Sequence, residues 1–394
     1  MGCLIERRKL LVGKPLGAYN RRRYGSPERG FFLFLGAIQG RMFPVIKKET
    51  TMIIVLKPNT SEQAEKDLIG HLKSLGFDVH ISHGVDHTIL GLVGDTSQMK
   101  PESLTVHPVV DKVVRVQAPY KRASRAFHPA DSIMQVGEGQ AGVIPAAIGD
   151  GSVAIIAGPC SIESEEQLVG IAQAVKASGA RFLRGGAFKP RTSPYSFQGL
   201  GSQGIELLLA AKKETGLPVV TELMSITQLE LFNEVDVIQI GARNMQNFDL
   251  LKELGGCDKT ILLKRGLAST VKELLMSAEY IMAAGNDKVV LCERGIRTFD
   301  PYTRNTLDLS VVPYLKKESH LPIVVDPSHA CGMSWMVPTL ATAALAVGAD
   351  GIMVEVHNCP ECALCDGEQS LTPAQFDELM QKLRKYAAVE GRSI

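Results

Sequence analysis

No apolar run near the start of this sequence approaches the ~20 residues that cross a bilayer; the longest strongly apolar stretch there, Phe31–Ile38, is far too short. A membrane partner is therefore not expected. Net charge is almost absent as well, +1 over 394 residues. The balance hides an asymmetry: residues 1–51 hold 11 basic and 3 acidic residues, the rest 32 and 39. The basic character belongs to the leader, so the folded body is not expected to bind nucleic acid. Cysteine is sparse, eight in the whole chain. A protein this long needs no disulfide scaffold, and free thiols fit a reducing cytoplasm.

Length allows two domains, or one large domain with an appendage. Residues 1–51 show Arg21-Arg22-Arg23, scattered Gly and Pro, and no sustained periodicity. They read as a basic extension outside the packed protein, either a transit peptide or sequence upstream of a functional start at Met52. Residues 52–117 read as strand, helix, two strands, helix, strand: Met52–Leu56, Thr60–Leu75, Phe77–Ile81, Thr88–Val93, a short helix around Ser97–Leu104, and Val109–Val116. That order is the ferredoxin-like split motif. It carries no evident catalytic cluster; His71, His80, His83 and His87 read as surface or strand-face residues rather than a metal site. A linker rich in Lys, Arg, Ser and Pro follows at 118–131, then a barrel domain at 132–390 that opens with a short hairpin or plug.

In that last domain eight short apolar runs alternate with eight helix-like segments, and each run ends on a group that can do chemistry. Val153–Ala157 leads to Cys160, Phe182-Leu183 to Arg184, Pro218–Thr221 to Glu222, and Val237–Ile240 to Gly241-Ala242-Arg243. Ile261–Leu263 leads to Lys264, Val289–Cys292 to Arg294, Ile323–Val325 to His329, and Ile352–Val354 to Glu355. Alternating βα units imply parallel strands. Eight of them imply a closed (β/α)8 TIM barrel, whose active site is built at the C-terminal strand ends. The fold class is thus α/β, a TIM barrel preceded by a small α+β ferredoxin-like domain.

Closure would make the eighth strand a neighbour of the first. Cys160, His329, Glu355 and Asp366 would then surround one point, a mixed site for one divalent metal ion. The thiolate favours Mn, Fe, Co or Zn over Mg. Arg184, Lys189, Arg191, Arg243, Lys264 and Arg294 follow other strands and face the same mouth. Buried cations with few acids nearby need anionic guests, and Arg suits phosphate or carboxylate. Glu222, embedded among them, is open to two readings: a general acid/base, or a group that orients a cation.

These residues lie inside longer runs. Ala157-Gly158-Pro159-Cys160-Ser161 and Leu183-Arg184-Gly185-Gly186-Ala187-Phe188-Lys189-Pro190-Arg191-Thr192-Ser193-Pro194 are two of them. Others are Ile240-Gly241-Ala242-Arg243-Asn244, Leu263-Lys264-Arg265-Gly266, Cys292-Glu293-Arg294-Gly295, Asp326-Pro327-Ser328-His329 and Glu355-Val356-His357. Together they resemble the 3-deoxy-D-arabino-heptulosonate 7-phosphate (DAHP) synthases, in the type I-beta branch with an N-terminal ferredoxin-like regulatory domain. The resemblance spans about residues 52–390 and is most specific at Lys189–Ser193.

The resemblance implies condensation of phosphoenolpyruvate with erythrose 4-phosphate, the entry step to aromatic amino acids. It implies Arg184, Ala242, Arg243, Lys264 and Arg294 at phosphoenolpyruvate, with Lys189 and Glu222 close to the reacting atoms. Lys189, Arg191, Thr192 and Ser193 would hold erythrose 4-phosphate, and Cys160, His329, Glu355 and Asp366 the metal. A tyrosine or phenylalanine effector and a homotetramer are further expectations. The chain departs from the pattern at Cys365, where serine is usual, and at Gly332–Met336, where basic residues are usual. Cys359, Cys362 and Cys365 have a spacing that could hold zinc or a cluster; without an evident fourth ligand they read as incidental, redox-sensitive thiols. The related 3-deoxy-D-manno-octulosonate 8-phosphate synthases share the phosphoenolpyruvate chemistry, but Arg191-Thr192-Ser193 and the small domain argue against them. A catalytically weak barrel serving as an amino-acid sensor is disfavoured by the full set of site residues.

Overall fold

A computed structural model describes residues 50–84, 87–94, 96, 99–115, 120–191 and 193–394. The basic extension falls outside these residues, apart from Thr50 and Thr51, which open the first strand. Thr192 falls outside them as well.

The first sheet contains β1 (Thr50–Leu56), β2 (Asp78–His83), β3 (Thr88–Val93) and β4 (Val110–Arg115), in spatial order β2-β3-β1-β4. All pairings are antiparallel. Helices Glu62–Ser74 and Pro101–Thr105 complete the βαββαβ order expected of a ferredoxin-like unit. Alternation explains its core: Met52, Ile54 and Leu56 of β1 and Leu90 and Leu92 of β3 form one cluster with Leu68 and Leu72 of the first helix.

A hairpin of β5 (Met134–Val136) and β6 (Ala146–Ile148) precedes the barrel. The barrel strands are β7 (Ala154–Gly158), β8 (Phe182–Arg184), β9 (Val219–Glu222), β10 (Val237–Ile240), β11 (Thr260–Lys264), β12 (Val289–Glu293), β13 (Ile323–Val325) and β14 (Gly351–Glu355). All eight are parallel, and β14 pairs with β7 to close the ring. Nearly every residue in them is buried, as expected of strands covered on both faces. The closing register sets Glu355 opposite Gly158, so the eighth strand ends beside the loop that carries Cys160.

Two connecting elements differ from the expected pattern. The segment after β9 is a 3-10 helix, Ile226–Phe232, rather than an α-helix. A capping box joins Ser225 to Gln228, and two β-branched residues open the turn, which weakens α-helix formation. A five-residue helix, Pro327–Cys331, stands directly after β13. Asp326 caps it and Pro327 fills its first turn; a segment this short has no periodicity to read.

The described part of the linker is pinned to the barrel. Glu279 accepts the backbone N–H groups of Arg122 and Ala123 at 3.0 and 2.9 Å. Arg125 donates to the carbonyls of Lys316 and Ser319 at 2.9 and 2.8 Å. His320 is buried between them: it contacts Arg122 O at 2.7 Å and Ser132 Oγ at 2.7 Å, and its ring packs on His128. Burial, with help from His128 and Arg125, pulls His320 from 6.5 down to about 4; the Arg122 carbonyl and Asp287 oppose this. Unfolded chains therefore take up this proton at higher pH than folded ones. The associated stability is complete above pH 6.5 and is lost as pH falls toward 4, up to about 3 kcal/mol. Urea melts from pH 7 to 4.5 should show that decline, and His320→Gln should flatten it; an equally steep decline in the variant would refute the assignment.

Candidate active site

Residues at the C-terminal ends of the barrel strands meet in one mouth. The ligand atoms of Cys160, His329, Glu355 and Asp366 all lie within 4.8 Å of one another, although the chain separates the first and last by 206 positions. Cys160 Sγ is 3.1 Å from Asp366 Oδ2, and His329 Nε2 is 3.2 Å from Glu355 Oε1. One sulfur, one imidazole nitrogen and two carboxylates make a donor set that fits a divalent transition metal.

Local structure aims each donor. The capping turn fixes His329: Asp326 accepts its backbone N–H at 3.0 Å and contacts its Nδ1 at 2.7 Å, leaving Nε2 toward the cluster. Burial lowers the His329 pKa against the pull of Asp326 and Glu355. Asp366 adopts a left-handed backbone, φ 52°, which Asp tolerates better than most residues. Its successor must be glycine: a Cβ on Gly367 would stand 2.0 Å from the Pro360 carbonyl oxygen.

Each of the two carboxylates and the thiol faces a cation. The neighbouring Cys365, burial, and the carboxylates Glu355 and Asp366 push the Cys160 thiol well up, so without a metal it is neutral. Arg184 Nη1 reaches Glu355 Oε1 at 2.5 Å, Lys189 Nζ reaches Cys160 Sγ at 2.8 Å, and Arg304 Nη2 reaches Asp366 Oδ1 at 3.1 Å. Burial works against ionisation of Glu355 and Asp366. His329 and Arg184 nevertheless hold Glu355 below the usual carboxylate range, and His329 and Arg304 do the same for Asp366. Burial also opposes the charge on Lys189, yet Cys160, Cys365 and Glu355 keep its ammonium above the ordinary range.

Beside this cluster is a cavity of about 250 Å³. Seven Lys or Arg residues line it (Lys189, Arg191, Arg243, Lys264, Arg294, Arg297 and Arg304), against two acids, Glu222 and Asp366. Among the described residues no carboxylate pairs with Arg243 or Arg294, and Arg294 Nη1 is buried without a partner. Lys264 is tied to Asp326 at 2.5 Å. Glu222 lies against Gly241, where a Cβ would sit 1.9 Å from its Oε1; Gln239 Nε2 approaches its other oxygen at 3.4 Å. Such a surface suits small, multiply charged anions.

Most residues singled out in the sequence converge here. Ala242 lines the cavity, while Arg184 stands behind its wall, 4% exposed and committed to Glu355. Ser193 is exposed on the loop after β8, and does not line the cavity. Sequence reasoning gave no role to Asp326, Arg297, Arg304 or Gln369. Asp326 was visible as a strand-end acid three positions before His329; nothing in local pattern marked the others. It also read Cys359 and Cys362 as free thiols. They form a disulfide, because the short turn Pro360–Cys362 brings their Cα atoms to 5.3 Å. Cys365 stays reduced and buried, and its thiol donates to Ser161 Oγ at 3.0 Å.

The model of the DAHP synthetase I family matches residues 133–389, and that of the DAHP synthase ferredoxin-like domain matches 52–118. The chain belongs to the DAHP synthetase I family. Phospho-2-dehydro-3-deoxyheptonate aldolase of Thermotoga maritima is 49% identical over 341 residues, covering 86% of this chain and 99% of the relative. The crystal structure of that DAHP synthase superposes with a TM-score of 0.68 at 48% identity, covering 88% of this chain and 99% of the other. A 2-dehydro-3-deoxyphosphooctonate aldolase of Geobacter sulfurreducens is 33% identical over 263 residues, 62% of this chain and 94% of its own. No helix among the described residues is long and apolar enough to cross a membrane.

Proposed function

We propose that this chain is a cytoplasmic, metal-dependent DAHP synthase. It would join phosphoenolpyruvate to D-erythrose 4-phosphate with uptake of water and release of phosphate, the first step of the shikimate pathway. The observation that carries this reading is one barrel mouth holding a four-donor cluster against seven cations. Cys160, His329, Glu355 and Asp366 would hold one Mn, Fe, Co or Zn ion. Such an ion, when bound, supplies Lewis acidity toward the sugar aldehyde.

The chain's own residues do the rest. Arg184, Arg243, Lys264 and Arg294, with the Ala242 segment, would hold phosphoenolpyruvate; Lys189, Arg191, Thr192 and Ser193 would hold the sugar phosphate. The two substrates repel each other, so the cations also bring them together. Carbon 3 of phosphoenolpyruvate bonds to the aldehyde carbon, whose oxygen takes a proton; the protonated Lys189 ammonium beside Cys160 is placed to give it. Water adds at carbon 2, its proton passing to a base for which Glu222 is the candidate. The C–O bond to phosphate then breaks.

Coverage favours the four-carbon sugar: the octulosonate-type relative matches the barrel's share of the chain, whereas the heptonate-type relative matches both domains. The deciding experiment is turnover with erythrose 4-phosphate against arabinose 5-phosphate, with and without tyrosine or phenylalanine. Erythrose 4-phosphate should be the substrate, inhibited by one aromatic amino acid acting through residues 52–117. Deleting residues 1–117 should abolish inhibition and leave turnover. Turnover of the five-carbon sugar alone would overturn the substrate assignment, and inhibition surviving the deletion would overturn the regulatory one. A homotetramer is expected by light scattering.

A further inference from the structure

Glu355 is fully buried, and both of its oxygens are engaged. Oε1 faces Arg184 Nη1 at 2.5 Å and His329 Nε2 at 3.2 Å. Oε2 accepts a hydrogen bond from Gln369 Nε2 at 2.5 Å. Gln369 is itself 0% exposed, and its Oε1 has no hydrogen-bond partner among the described residues. A carboxylate can only accept, so the amide nitrogen has to face it and the amide oxygen is left stranded. Native proteins rarely bury a polar side chain with half of it unsatisfied, which concentrates the purpose of Gln369 in its one bond to Glu355.

The backbone delivers Gln369 with the same loop that delivers Asp366. The Ser370 N–H bonds to the Gly367 carbonyl at 3.0 Å, Ser370 Oγ to the Asp366 carbonyl at 3.0 Å, and the Leu371 N–H to the Glu355 carbonyl at 2.9 Å. The turn therefore carries both Asp366, whose carboxylate joins the cluster, and Gln369, whose amide meets Glu355 Oε2.

We propose that Gln369 is a positioning residue of the metal centre. By occupying Oε2 it fixes the plane of the Glu355 carboxylate and leaves Oε1 as the oxygen that meets the cation, so that Glu355 binds through one oxygen and not two. The inference rests on the metal site of the proposed function. Outer partners of this kind typically set metal affinity by 10–100-fold.

The test uses the full chain, stripped of metal and titrated with Mn²⁺ and Co²⁺. Gln369→Met keeps the volume and removes the donor. Its Mn²⁺ dissociation constant should rise about 10–100-fold. Its Co²⁺ form should absorb more weakly in the visible, since a second Glu355 oxygen raises the coordination number. A purely structural role would lower the melting temperature of the stripped protein and leave both readouts alone. Gln369→Asn, which draws the amide back by one methylene, gives the same comparison if the methionine variant does not fold. A dissociation constant within twofold of wild type, or an unchanged Co²⁺ spectrum, overturns the proposal. Wild-type protein that takes up neither ion overturns the metal site itself and this inference with it, so the two failures are distinguishable.

Discussion

Replacing Cys160 by serine should reduce turnover about 1,000-fold, the loss of roughly 4 kcal/mol of transition-state stabilisation. A hydroxyl does not ionise near neutral pH and is a poor substitute for a soft thiolate. Chelation should silence the wild-type enzyme to a similar degree, with Mn²⁺ restoring it and failing to restore C160S. The fold should survive chelation, because Glu355, Cys160 and Asp366 each keep a cation of their own in Arg184, Lys189 and Arg304. Circular dichroism of the stripped protein checks this point. Full turnover by C160S after chelation would refute the ligand assignment.

The second large effect is a contrast between two cations of the same cavity. Lys264→Met should destabilise the barrel by about 3 kcal/mol, the low end of the cost of breaking a buried ion pair, since His329 still holds Asp326. Its partner Asp326 is fully buried, and the bond between them is 2.5 Å. Arg294→Met strands nothing: its Nη2 donates to the His329 carbonyl at 3.2 Å, and its Nη1 has no partner to lose. Its stability should stay within about 1 kcal/mol of wild type. Both variants should raise KM for phosphoenolpyruvate. Burial opposes ionisation of Asp326, but His329 and Lys264 hold its pKa well below the ordinary value. Such a carboxylate contributes stability above its unfolded pKa and loses it in acid. The K264M deficit should therefore be complete at pH 7 and shrink as pH falls below about 4. Chemical denaturation of the two variants at pH 7, and of K264M in acid, checks all three statements; an R294M protein as unstable as K264M would contradict the account.

The barrel was legible because its strands are buried on both faces and end in reactive residues. Val237–Ile240 and Ile323–Val325 are found where the apolar runs stand. The four metal candidates were legible for the same reason, since closure brings β14 beside β7 without any further assumption. Arg304 and Gln369 were not, because each acts through a partner 62 or 14 positions away in a loop whose path no periodicity encodes. Arg184 shows a different limit. Its place at a strand end suggested contact with substrate, and packing adds an ion pair with Glu355 that the sequence did not show. Type and position name a charge; only packing says whether that charge is already neutralised.

The ring closes between β7 and β14, and the candidate metal donors straddle that seam. A chain leaving the ribosome presents Cys160 first and Asp366 206 residues later. Until the final strand docks on the first, Cys160 is a lone thiol that a transition metal can hold only weakly. Loading of the proposed centre would therefore wait for the eighth strand, and a product truncated before it, however well its first strands pair, would lack the donors to carry off an ion.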